Sequence, residues 1–203
     1  MRHDTLAPWA EPVPDAGPMT ADDLLRLDDT AWQFELVEGR LIRMAPTGLE
    51  HLDVTRKLYR SLDRYVDAHD LGIVTLPDTG FRLTRPGAAE TVLSPDIAYV
   101  SAARVRQLPP PGTPERKKFL PVAPDLAVEV ASSDQHHPEM ADKARLYLAS
   151  GVRLVWLVWP SHQQVDIWRP GADQPTATLG PPDTLDGLDV LPGFTYPVAD
   201  LFS

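Results

Sequence analysis

Residues 124–152 read PDLAVEVASSDQHHPEMADKARLYLASGV. An alternating apolar run gives way to a polar break and then to a helical repeat, so the stretch reads as a buried strand feeding a helix. Alternate strand residues share a face, which groups Leu126, Val128 and Val130 on one side and Ala127, Glu129 and Ala131 on the other. The bulky side is a core face. The small residues on the other side leave space around the Glu129 carboxylate, as a ligand-holding cleft would need. An outward glutamate on a strand with one wet face is the equally open alternative. Pro138 suits the first turn of the helix and Gly151 its end, with Met140, Ala144, Tyr147 and Leu148 forming the apolar stripe. Lys143 lies at the edge of that stripe, from which an ammonium can snorkel over the sheet edge to the region of Glu129 and Asp96. An ordinary flanking lysine is the alternative.

A second carboxylate gives Glu129 a partner. SPDIAYV, residues 94–100, starts a strand with Pro95 where strand geometry tolerates it and puts Asp96 at the strand's mouth. If the two strands are neighbours, Asp96 and Glu129 converge on one divalent cation. Magnesium suits such a pair, because it takes one or two protein carboxylates, keeps several waters and fills its octahedron with phosphate oxygens. The Pro-Asp dipeptide alone says little, since it recurs at Asp15, Asp78, Asp125 and Asp183. Asp125 shares the face of Glu129, but four residues at about 3.3 Å each separate their backbones by roughly 13 Å, too far to share an ion.

Composition narrows the classes. The 203 residues carry a net charge of −10, which argues against a general nucleic-acid coat built from clustered Lys and Arg. It leaves room for an enzyme that meets phosphate at one small site. The most basic stretch, residues 104–118, sets Arg104, Arg106, Arg116, Lys117 and Lys118 against Glu115, and is either the phosphate-facing element or a solvated loop. There is no cysteine, so disulfides and thiolate metal sites are excluded and carboxylates become the ligands to watch. No apolar run is long enough to span a membrane and the first ten residues lack the apolar centre of a secretion signal, so a cytoplasmic protein without membrane contact is expected.

The organisation reads as an irregular arm over residues 1–18, with Pro8, Pro12, Pro14 and Pro18, followed by one domain over 19–203. Thr20 and Asp23 form a capping pattern before a short helix. FELVEGRLIRM, residues 34–44, reads as a hairpin turning at Glu38-Gly39. Residues 49–72 carry Leu58, Leu62, Tyr65 and Val66 at helical spacing and are expected to stop at Gly72. Strands then dominate, with one strong helix at 138–150, and the proline-rich segment 101–121 is expected to be irregular. The expected fold class is α/β (α+β), a central mixed β-sheet flanked by α-helices with an N-terminal helix and hairpin. Trp156 and Trp159 put bulk on both faces of one strand, which calls for a sheet covered on both sides or a contact in a homodimer.

Other chemistries lack their patterns. His136 and His137 are adjacent and cannot face one ion as an i,i+4 pair does. Neither a G-x-S-x-G nucleophile turn nor a G-x-x-x-x-G-K-S/T phosphate loop occurs.

The series SPDIAYV, PDLAVEVAS, DKARLYLASGVRLVWLVWP, VDIWR and LPGFTYPVADLF, in that order from residue 94 to 202, resembles the Uma-type restriction endonuclease family of the PD-(D/E)XK nuclease superfamily. The resemblance extends back to Phe34, where the hairpin bearing Glu35 and the helix-starting His51 match. It implies a restriction-endonuclease-like core and Mg²⁺-dependent (Mn²⁺ possible) hydrolysis of DNA. Asp96 and Glu129 fall on the motif acids. The superfamily's lysine two residues after the acid is replaced by Ala131, and Lys143 on the following helix falls in its role, orienting the attacking water or offsetting charge on the pentavalent phosphate. Glu35 is a further acid near the site, and His51, Arg116, Lys117 and Lys118 are candidate substrate contacts. Tyr147 reads as packing. Arg40 stands where the family often has another acid. A catalytically silent binding or protein-interaction module on the same fold is the competing class.

Overall fold

The computed structural model describes residues 13, 17–27, 33–83, 85, 87–132 and 137–203. His136 and residues 1–12 and 14–16 of the arm lie outside them. The elements in order are α1 (Ala21–Leu24), β1 (Gln33–Val37), β2 (Arg40–Met44), α2 (Leu49–Ala68), β3 (Gly72–Thr75), β4 (Phe81–Arg82), β5 (Val92–Leu93), β6 (Ile97–Ser101), α3 (Ala102–Val105), β7 (Leu126–Val130), α4 (His137–Ala149), β8 (Leu154–Trp159), β9 (Gln164–Trp168), β10 (Ala177–Leu179), β11 (Thr184–Asp186), β12 (Thr195–Pro197) and α5 (Val198–Leu201).

The central sheet has the order β10-β9-β8-β7-β6-β3. Only β7 and β8 run parallel among its neighbours, and that pairing requires the crossover that α4 supplies. A smaller sheet, β2-β1-β5-β4, begins with the expected hairpin. Glu38 (φ 49) and Gly39 (φ 78) form its turn with the positive φ pair that matches strand twist. The capping box at Thr20 and Asp23 is present at α1. Segment 101–121 is more regular than its prolines suggest, since it opens with α3 and contains a 3₁₀ turn at Pro114–Lys117.

The alternation along β7 sorts its side chains between two cores. Leu126, Val128 and Val130 pack with Trp156, Phe194 and the buried stripe of α2, Val54, Leu58, Leu62 and Val66. Ala127 and Ala131 face the other way, with Trp159, the smaller sheet, and Met140, Ala144 and Tyr147 of α4. Both faces of the sheet are therefore covered, and Trp156 and Trp159 are core residues, so they supply no argument for a dimer contact. In the β6–β7 register Ile97 pairs with Val128, so Asp96 falls opposite Glu129 one step further on. No helix among the described residues is long and apolar enough to cross a membrane.

The end of α2 departs from the sequence reading. Asp70, at φ 52, takes the left-handed position after the helix. The N–H of Leu71 then returns to Val66 O and that of Asp70 to Asp67 O, the two bonds of a Schellman cap. Gly72 serves a different purpose. At φ +143 it begins β3 so close to its neighbour that an added Cβ would lie 2.1 Å from Val100 O. Replacing it by alanine forces backbone to move at the sheet edge. Gly72→Ala is expected to destabilise the protein by about 2–4 kcal/mol, read by denaturant unfolding, whereas Gly112→Ala, with open space around its Cβ, should cost about 1 kcal/mol or less through its positive φ alone.

Candidate functional site

Glu129 is the acid at the C-terminal end of β7 and is 6% exposed. Its Oε1 meets Lys143 Nζ at 2.9 Å and accepts a 2.6 Å hydrogen bond from the Tyr147 hydroxyl. Lys143, itself 3% exposed, also lies 3.3 Å from Glu35 Oε2. It does not snorkel from the sheet edge as its place on the stripe suggests; α4 lays it across the sheet inside the protein. Glu35 comes from β1, and its Oε1 accepts the N–H of Ser94 at 2.7 Å. Asp96 stands on the other side of Glu129. Its Oδ2 accepts the N–H of Val130 at 2.8 Å and meets His51 Nε2 at 3.0 Å.

These side chains line a cavity of about 630 Å³ whose mouth includes Phe34, Met44, Leu49 and Phe119. Asp96, Glu129, Lys143, Glu35 and His51 are thus brought together from β1, α2, β7, α4 and the approach to β6. Arg116, Lys117 and Lys118 are not. Arg116 Nη1 donates to Pro109 O at 2.9 Å and Lys118 Nζ lies 3.3 Å from Asp22 Oδ1, while Arg116 and Lys118 line a separate cavity of about 170 Å³. Arg104, from the same basic stretch, donates to Pro124 O and pairs with Asp125 Oδ1 at 3.4 Å. Asp125 accordingly anchors the opposite end of β7, where it also accepts the N–H of Ser101 at 2.8 Å. His51 faces Asp96 and so braces a carboxylate. The sequence reading missed the Tyr147 hydroxyl; its one signal was the four-residue spacing from Lys143, which puts both on one helix face.

The electrostatics follow from crowding acids around one buried cation. Burial pushes the Glu129 carboxyl up to about 7, against the pull of Lys143, with Asp96 and Glu35 adding to the rise. Burial alone would lower the Lys143 ammonium, but Glu129 and Glu35 outweigh it and hold its pKa above the ordinary lysine value. Burial, reinforced by Glu129 and Glu35, raises the Tyr147 phenol well above its usual range, so it remains a donor.

The Uma2 family, described as "Putative restriction endonuclease", matches residues 21–199, nearly the whole chain. The chain belongs to the Uma2 family. A solved structure with the same fold is described as "a putative nuclease belonging to DUF820 from Anabaena variabilis ATCC 29413". It is 20% identical, with a TM-score of 0.72, and the match covers 91% of this chain and 98% of that one. No curated protein matches the sequence. The Uma2 chain therefore has a nuclease-like fold. Position 131, two residues after Glu129, is a buried alanine, and the ammonium at Glu129 arrives from α4.

The Glu129 pKa has a consequence for stability. A carboxyl near 7 in the fold and near 4.5 when unfolded contributes stability that is complete below 4.5 and lost as pH rises through 7. Relative to Glu129→Gln, the wild-type protein in chelator is expected to lose about 3 kcal/mol of unfolding free energy between pH 4.5 and 8. Denaturant titrations across that range test it, and a pH-independent difference between the two proteins would contradict the burial argument.

Proposed function

We propose that this Uma2 protein is an endonuclease that hydrolyses DNA phosphodiester bonds in the 630 Å³ cleft with a divalent cation, Mg²⁺ or Mn²⁺, held by Asp96 and Glu129. The observation that carries this reading is the convergence of Asp96 and Glu129, from adjacent strands, with a buried Lys143 ammonium 2.9 Å from the Glu129 carboxylate. The donor set suits the ion. Two carboxylates are what magnesium commonly takes from a protein. The contacts that brace them run through Asp96 Oδ2 and Glu129 Oε1. When ionised, Glu35, Asp96 and Glu129 carry −3 against +1 on Lys143, a net −2 that a divalent cation balances.

A cation bound there lowers the pKa of a coordinated water and stabilises charge on the phosphoryl oxygens. The chain's own residues do the rest. His51 and the Val130 N–H hold Asp96 in place, and the Ser94 N–H holds Glu35 beside Lys143. Lys143 orients the attacking water and offsets charge on the pentavalent phosphorus as the new P–O bond forms and the bond to the departing sugar oxygen breaks. The attacking water gives up a proton to solvent, and the departing oxygen leaves with one drawn from solvent. Since the cleft is acidic, an incoming phosphodiester meets repulsion from the protein alone, and productive binding depends on the cation.

One observation favours a second reading. Among the described residues no group of three or more His, Asp or Glu is placed to hold a metal, as a catalytically silent nuclease-fold binding module would also have it. Mg²⁺ and Mn²⁺ titrations with single- and double-stranded DNA separate the two. Cleavage is expected to require the cation and to fall at least 100-fold in Asp96→Asn, Glu129→Ala and Lys143→Met, with the fold retained. Metal-independent cleavage, or full activity in Glu129→Ala, would overturn the assignment. No cleavage and no cation binding would select the silent module.

A further inference from the structure

The Tyr147 ring packs in the core between α4 and the sheet and is fully buried. Its hydroxyl leaves that apolar cluster and donates to Glu129 Oε1 at 2.6 Å. Lys143, four residues earlier on α4, reaches the same Oε1 at 2.9 Å. One helix face therefore delivers two donors to one carboxylate oxygen, and Glu129 Oε2 takes part in neither contact.

The two donors are not equivalent. An ammonium is a compact charge on a flexible stem, and Lys143 divides its attention between Glu129 and Glu35. The terminal torsion of a glutamate is broad, so a single shared charge leaves the carboxylate free to turn. A phenol supplies one hydrogen, directed from a ring that packing holds still. It also carries no charge, so it restrains Oε1 without competing for the negative charge that a cation needs.

We propose that Tyr147 is a positioning residue for Glu129, fixing the rotation of the carboxylate so that Oε2 is offered to the cleft and thereby setting how tightly the Asp96 and Glu129 pair holds a divalent cation. This rests on the divalent-cation reading of the cleft. It reassigns a residue whose place on the apolar stripe marks it only as packing.

The test is Mn²⁺ binding by calorimetry, without DNA, to the wild-type protein, Tyr147→Phe, Glu129→Gln and the double variant. Tyr147→Phe is expected to weaken Mn²⁺ binding about 10–100-fold. In the Glu129→Gln background the same change should add nothing, and DNA cleavage by Tyr147→Phe should need a correspondingly higher Mn²⁺ concentration for its half-maximal rate. Tyr147→4-aminophenylalanine restores a donor on the same ring and should return affinity to near the wild-type value; it also serves if the phenylalanine variant fails to fold. A ring that only packs would give the 4-aminophenylalanine and phenylalanine variants one affinity, which overturns the proposal. Equal Mn²⁺ affinity in wild type and Tyr147→Phe overturns the role of Tyr147 and leaves the cation reading intact. Absence of Mn²⁺ binding by the wild-type protein overturns both.

Discussion

The Lys143 ammonium, 2.9 Å from Glu129 and 3.3 Å from Glu35 with all three side chains buried, is the interaction around which the cleft is arranged. Taking an ion out of water costs several kcal/mol, and the ammonium works against that cost at Glu129. The ammonium in turn depends on both acids, which outweigh the lowering of its pKa by burial. The three groups come from β1, β7 and α4, and their mutual dependence ties the small sheet, the central sheet and the crossover helix to one another. Apolar packing brings these elements together. The ionic contact joins all three of them at one point.

That arrangement sets three carboxyl groups, Glu35, Asp96 and Glu129, around one lysine ammonium. Three cations of the basic stretch make contacts elsewhere: Arg104 at the Asp125 end of β7, Arg116 with a backbone carbonyl, Lys118 with Asp22. Sequence reports how many cations a loop has and not where they point. Asp125 shows the same limit from the other side. Its position in the strand excludes it from a shared ion with Glu129, and its burial goes to fastening the far end of β7.

Legibility followed the range of the contacts. The hairpin at Glu38-Gly39, the capping box at Thr20 and the strand-helix-strand unit around Glu129 are encoded within a few residues, and each is found where its pattern stands. The adjacency of β6 and β7 was the step on which the Asp96 and Glu129 pair depended, and the antiparallel register makes them face one another. The contacts His51 makes with Asp96 and Ser94 makes with Glu35 span 45 and 59 residues and follow from how α2 and the small sheet dock, which no local pattern states. Even a local signal misled at the end of α2, where a glycine suggested the cap. Asp70 takes the left-handed position, and Gly72 is needed for close strand approach.

The helix-borne lysine is the point at which sequence and geometry explain each other. A lysine at position 131 would leave β7 on the same face as Glu129 and point toward the same core, alongside Trp159 and Met140. With alanine there, the core closes around a small side chain and the charge has to arrive from across the gap. Helix α4 can supply it because the parallel β7–β8 pairing fixes a crossover helix over that face. A helix carries a second residue of the same face one turn away, which a strand cannot place at the same oxygen. A cation delivered from the helix thus brings Tyr147 to Glu129 together with Lys143, and the carboxylate meets a directed hydrogen bond as well as a charge.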